Sequence, residues 1–131
     1  MIRWSVVAMA LGLPAWAEDP RPSPQYFVDT AFETSTAQAL ALSCATLSVD
    51  LGAMARRTEG TLQQLTDDGF TPDNLSARMA DPTDAIAALQ TAFMAKHGLA
   101  DGAPETAVCA AGRAEIAEGT PVGALLLEVE G

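Results

Sequence analysis

Apolar residues recur at helical spacing along most of the chain. Ala37, Leu40, Ala41 and Cys44 share one helical face, and the stripe runs on through Leu47, Leu51, Met54, Thr58, Leu62 and Leu65 in steps of three and four. Ser35-Thr36-Ala37-Gln38 has the capping-box pattern, in which serine and glutamine side chains satisfy reciprocal backbone N–H groups, so the first secure helix is predicted to start at Ser35. From there to Asp67 the pattern fits either one long helix or two helices meeting near residues 43–48. Length favours the break, because helices of roughly 30 residues are unusual in so small a domain.

Asp68-Gly69-Phe70 reads as a helix stop, with Gly69 left-handed and Phe70 packing back. Thr71-Pro72 and Asp81-Pro82 each pair an N-cap with a proline at the first helical position. The first opens a short helix carrying Leu75 and Met79. The second opens a longer one with Ile86, Leu89 and Phe93 on one face, ending at Lys96-His97-Gly98. Residues 104–118 predict a second cysteine-bearing helix. Val108, Cys109, Gly112 and Ile116 cluster on one side of its wheel, and Ala107, Ala110, Ala114 and Ala117 on another, as for a central helix packed on two sides. Thr120-Pro121 caps a predicted last helix over residues 122–128 that docks Leu125, Leu126 and Leu127. No segment alternates with period two. The expected fold is all-α, a small domain of five to six helices with one disulfide and no internal repeat.

The N-terminus departs from this pattern. Met1-Ile2-Arg3 precedes a mostly apolar run from Trp4 to Leu13 and the sequence Pro14-Ala15-Trp16-Ala17. A lone positive charge, about ten apolar residues and an Ala-x-Ala end predict a secretory signal peptide cleaved near Ala17. The run is too short for a spanning helix, which needs about 20 apolar residues. Residues 18–34 read as a proline-rich, solvated leader with a short helical turn or arm over Tyr26–Phe32, and residues 35–131 as the helical domain. Residues 1–17 read as the signal peptide.

Charge narrows the partners. The whole chain has 7 basic and 17 acidic residues, a formal net charge of −10. Removing residues 1–17 takes away Arg3 and no acid, leaving −11 over 114 residues, with both tryptophans gone. Nucleic-acid binding through counterion release needs a basic face, and a membrane-surface helix needs a polybasic one. Neither fits, so no nucleic acid and no membrane association after cleavage are expected. With 49% hydrophobic residues the chain is not a disordered acidic tail.

Cys44 and Cys109 lie 65 positions apart with no Cys-x-x-Cys spacing. In a chain routed to an oxidising compartment they read as a structural disulfide between distant helices. The remaining chemistry is sparse. His97 is the one histidine, read as a terminal-turn residue near helix carbonyls rather than a general base or metal ligand. Asp81 and Asp84 are explained by capping, and Glu115 and Glu118 by a helix surface. Asp67-Asp68-Gly69-Phe70-Thr71-Pro72-Asp73 has the composition of a calcium loop, but its glycine is misplaced and no glutamate closes twelve residues. No nucleophile elbow, phosphate loop or zinc-protease motif occurs. No catalytic residue, metal or cofactor is expected. The one pocket suggested by the pattern is an Ala-lined interhelical groove beside Gly112, Ile116 and Val108.

The run from Val108-Cys109 through Arg113-Ala114-Glu115-Ile116-Ala117-Glu118-Gly119-Thr120 to Leu126 is similar to a family of small exported alphaproteobacterial proteins, a domain of unknown function. That family has two cysteines, an Ala-Glu-Ile-Ala helix, a Gly-Thr stop and an apolar tail. The first cysteine before a helix ending in Gly69-Phe70, Asp81-Pro82 and Lys96-His97-Gly98-Leu99 also fit, so the resemblance spans about residues 37–127. It departs at Val108, where an aromatic is expected, and at Pro121, where an aliphatic is expected. The resemblance implies an exported, helical, disulfide-bridged fold and supplies no catalytic residues. The expected role is a non-enzymatic periplasmic or secreted accessory module contacting an unknown protein partner in a salt-sensitive way. The alternative is a small-ligand-binding helical protein using the groove.

Overall fold

A computed structural model describes residues 20–131. The predicted signal peptide lies outside the described residues. Five α-helices follow in order: α1 Gln25–Leu42, α2 Leu51–Asp67, α3 Leu75–Arg78, α4 Thr83–His97 and α5 Glu105–Glu118. Two three-residue strands, β1 Leu47–Val49 and β2 Leu126–Glu128, pair antiparallel, with Leu47 opposite Glu128 and Val49 opposite Leu126. The fold is all-α with this one small sheet.

The first helix begins ten residues earlier than the capping pattern suggests. Ser35 sits inside α1 and its Oγ donates to the Ala31 carbonyl at 2.7 Å, so it serves as no cap. Thr30 and Thr34 bond back in the same way to the Tyr26 and Thr30 carbonyls, at 2.9 and 2.8 Å. The inward face of this first half is polar: Thr30, Glu33 and Thr36 are buried beside Val28 and Ala37. An apolar stripe could not mark it. The segment before α1 is extended but anchored. Arg21 forms a parallel bridge with Met79, donates from Nη1 to the Asp68 carbonyl at 2.6 Å, and lies 4.5 Å from the Phe70 ring centre.

The break expected near residues 43–48 is present. α1 ends at Leu42, β1 occupies Leu47–Val49, and Asp50 caps α2 by accepting from the Ala53 N–H at 3.0 Å. The stripe carries across the break only in part. Leu47 and Leu65 are buried and Met54 packs on the core, whereas Leu51 and Leu62 are 75% and 54% exposed and Thr61, outside the stripe, is buried. Because Thr30 gives its one hydroxyl proton to Tyr26, Thr61 donates to Thr30 Oγ1 across the α1–α2 contact, at 2.6 Å.

The predicted last helix is a single 3-10 turn, Gly123–Leu125, followed by β2. Thr120 does cap it, accepting from the Gly123 N–H at 3.1 Å. The Leu-Leu-Leu run is equally apolar in either state, and a three-residue strand is too short to show alternation. Leu125 and Leu126 are buried and Leu127 is half exposed. Nor is α5 packed on two sides. Ala110 and Ala117 face outward, while Glu115, expected on the surface, is buried.

The main core joins Ala37, Leu40, Cys44, Leu47, Phe93, Val108, Cys109, Ala111, Val122, Leu125 and Leu126. A second cluster, Leu65, Phe70 and Met79 with Tyr26, Phe27 and Leu75, fastens α3 and the Gly69-Phe70 turn to the start of α1. α1 touches β1, α2, α4, α5 and the 3-10 turn, so it is the hub of the fold. No helix among the described residues is long and apolar enough to cross a membrane.

Candidate functional site

Cys44 and Cys109 are joined in a disulfide with Cα atoms 5.3 Å apart. It ties the end of α1 to α5 inside the main core, with both cysteines buried. Thr46 Oγ1 lies 3.3 Å from Cys44 Sγ, and Glu105 accepts from the Ala45 N–H at 3.0 Å beside it. The two sulfurs and the Glu105 carboxylate have the closeness of a metal-ligand set, but the sulfurs are spent on one another. Closing a loop of 65 residues stabilises a fold by about 4 kcal/mol in the chain-entropy picture.

Gly112, Ile116 and Val108 do not line a common groove. A Cβ on Gly112 would stand 2.3 Å from Leu47 Cδ1, so the space beside it is filled by the β1 leucine. Ile116 packs on the core edge. Val108 lines an open cleft of about 730 Å³ between α1 and α4. Leu40, Phe93 and Val108 are its buried apolar residues, Ser35, Ala39 and Gln90 contribute from the two helices, and the loop from Leu99 to Ala103 closes one end. Asp101 is its only ionisable lining residue. Sequence reading missed the cleft because α1 and α4 were read separately, and nothing in either pattern tells which helix lies beside which.

A second, smaller pocket of about 250 Å³ lies between α1, α4, α5 and the Thr120–Val122 turn. Two buried acids line it. Glu33 accepts from Arg57 Nε at 2.8 Å and Nη2 at 2.7 Å, both on Oε2, and burial pushes its carboxyl above the usual range against the opposing pull of Arg57. Glu115 accepts from Lys96 Nζ at 2.7 Å, and the same ammonium reaches Glu118 at 2.8 Å. Hydrogen bonds from Lys96 hold the Glu118 carboxyl low, and those two acids in turn raise the Lys96 ammonium.

His97 lies in the last turn of α4, as expected, with its side chain turned against Phe93. Its side chain is 9% exposed, its ring sits 4.7 Å from that of Phe93, and Nε2 is buried without a hydrogen bond. Glu115 Oε2 lies 3.6 Å from Nε2, beyond hydrogen-bond reach. The α4 face shared with Phe93 was legible, and the carboxylate opposite was not.

The acidic turn at residues 67–73 is a structural joint. Asp68 accepts from the Tyr26 hydroxyl at 2.6 Å, and partial burial together with this acid pushes the phenol up to about 12. Thr71 and Asn74 bond reciprocally to open α3. Asp81 accepts from the Thr83 hydroxyl and N–H, which lowers its carboxyl.

No curated protein and no solved structure matches the chain. Residues 20–127 match the family described as "Family of unknown function (DUF5333)", a span that takes in every helix among the described residues, both cysteines and the two pockets above, and the chain belongs to that family.

Proposed function

We propose that the chain is a non-enzymatic, exported accessory module that binds a protein partner through the cleft between α1 and α4. The carrying observation is the cleft itself. It is open, about 730 Å³, floored by Leu40, Phe93 and Val108, and has one ionisable lining residue. Such a surface offers shape and apolar contact rather than an acid–base pair. The partner supplies an apolar segment flanked by basic residues, matched to the acidity of the module. Export is supported by the tripartite N-terminal pattern, by the resemblance to exported alphaproteobacterial proteins, and by a disulfide that suits an oxidising compartment.

Ala39→Trp tests this reading by filling the cleft from an exposed position on α1. The variant should keep its melting temperature and lose a partner that co-purifies from periplasm at low salt and dissociates at high salt. Retention of the same partner by the filled cleft would refute the reading. The cleft's volume also lies in the range of small-molecule sites, roughly 300–1,000 Å³, which favours an apolar small ligand as the second reading. A bound lipid or metabolite found by mass spectrometry of the native protein, displaced in Ala39→Trp, would select it.

A further inference from the structure

The register of the small sheet fixes which backbone groups face inward and which face out. The Val129 N–H donates to the Thr46 carbonyl at 2.9 Å, and the Asp50 N–H donates to the Leu125 carbonyl at 2.8 Å. Ser48 and Leu127 stand opposite each other midway between those bonds. In an antiparallel ladder every second residue points its N–H and C=O at the neighbouring strand. The Leu125 carbonyl, Leu127 and the Val129 N–H therefore face β1, and Leu126 and Glu128 turn their backbone groups outward. The Leu126 N–H is spent on the Gly123 carbonyl. The Leu126 carbonyl and the Glu128 N–H and carbonyl have no hydrogen bond among the described residues.

The two edges of the sheet differ. β1 lies against α1, with Leu47 buried and Ser48 and Val49 half-buried. Along β2 and just beyond it, Leu127, Glu128, Val129 and Glu130 are all exposed. Alternation sets Leu127 and Glu128 on opposite faces of the strand, so this open edge offers apolar surface on one side and negative charge on the other.

From this arrangement we infer that the outer edge of β2 docks an extended segment of a partner protein, added as an antiparallel third strand with basic residues among apolar ones. A partner residue opposite Glu128 exchanges two hydrogen bonds with it, and the residue two positions on donates to the Leu126 carbonyl. Such main-chain bonds carry strand addition, while side chains at alternate positions choose the partner. Here Leu127 supplies the apolar contact. Glu128 and Glu130 select for cations, since opposite charges across paired strands are favourable and like charges are not. The same acids exclude a second copy as the occupant, because pairing β2 with β2 gathers glutamates from both chains. Charged edge residues deter self-pairing in this way. None of these residues lines the α1–α4 cleft, so the inference does not rest on that reading.

An acetylated peptide alternating lysine and valine, added to the disulfide-intact protein, is the probe. With the peptide at about ten times its Kd, exchange of the Glu128 N–H should slow by about tenfold. The fully backbone N-methylated peptide, and one alternating glutamate and valine, should give no protection. Glu128→Pro removes the outward donor and leaves the Val129–Thr46 bond in place, a position where an edge strand tolerates proline. It should abolish binding with little change in melting temperature. Glu128→Lys keeps the backbone and should move the preference toward the glutamate–valine peptide, so the test does not depend on the proline variant folding. Ala39→Trp should leave the affinity for the lysine–valine peptide unchanged. Absence of binding, binding that leaves Glu128 exchange unaltered, or loss of binding in Ala39→Trp would overturn the docking edge.

Discussion

Three glycines with one chemical difference from alanine should respond to it in three ways. A Cβ on Gly123 would lie 2.1 Å from the Glu115 carbonyl oxygen, a backbone atom that cannot rotate aside. A Cβ on Gly112 would lie 2.3 Å from the end of the Leu47 side chain, which can shift at the expense of core packing. Gly60 sits exposed inside α2 with nothing within 4 Å. Gly112→Ala should therefore destabilise by about 1–3 kcal/mol through overpacking, Gly123→Ala by more, and Gly60→Ala should stabilise by up to about 1 kcal/mol. Urea denaturation of the three variants checks the order. Glu33 carries a pH prediction at the same scale. Its carboxyl is raised in the fold, so its ionisation weakens the fold as pH rises through that value, and the relative stability it contributes belongs to the acid side. Glu33→Gln keeps an acceptor for Arg57, whose side chain is 41% exposed and can remain hydrated. The variant should be more stable than the parent at pH 7, with the gain disappearing as pH falls through the carboxylate range. A loss of stability at pH 7 would contradict the sign.

At the scale of elements, the break after α1 and the disulfide were legible, while the start of α1 and the C-terminal strand were not. The break announces itself through length, and the structure adds its cap, Asp50, which accepts from the Ala53 N–H. Replacing that cap, Asp50→Ala, should destabilise by about 1 kcal/mol, read as a lowered denaturation midpoint. The start of α1 was hidden because its inward residues are Thr30, Glu33 and Thr36, paired with Thr61 and Arg57 of α2 rather than with apolar side chains. A polar helix–helix contact has no signature in an apolar stripe, since its partners are set by tertiary pairing. β2 was hidden for a different reason: its pairing partner is β1, about eighty residues away, and three residues cannot display a period. The candidate cleft is similar in kind, because it exists only between α1 and α4. Breaking the one covalent tie among these elements, Cys109→Ser, should remove about 4 kcal/mol. In thermal melts that corresponds to a fall of well over 10 °C for a domain of this size. A fall of only a degree or two would show that packing alone holds α1 on α5.

For the whole molecule, acidity, family membership and the open cleft bear on one another. The helical frame leaves an open concavity on the hub helix α1 nearly uncharged, while the chain as a whole carries 17 acids against 7 bases. The proposed partner, apolar at the tip and basic around it, would match an apolar seat on an acidic chain. The most direct measurement is site-specific photo-crosslinking in living cells, with a benzophenone amino acid at Gln90 in the cleft and, separately, at Glu59 on the exposed face of α2. A discrete crosslinked species from Gln90, absent from Glu59 and abolished by Ala39→Trp, is the predicted result. Equal crosslinking from both positions, or none from Gln90 in cells where the chain is exported and folded, would contradict the assignment of the α1–α4 cleft as the binding face.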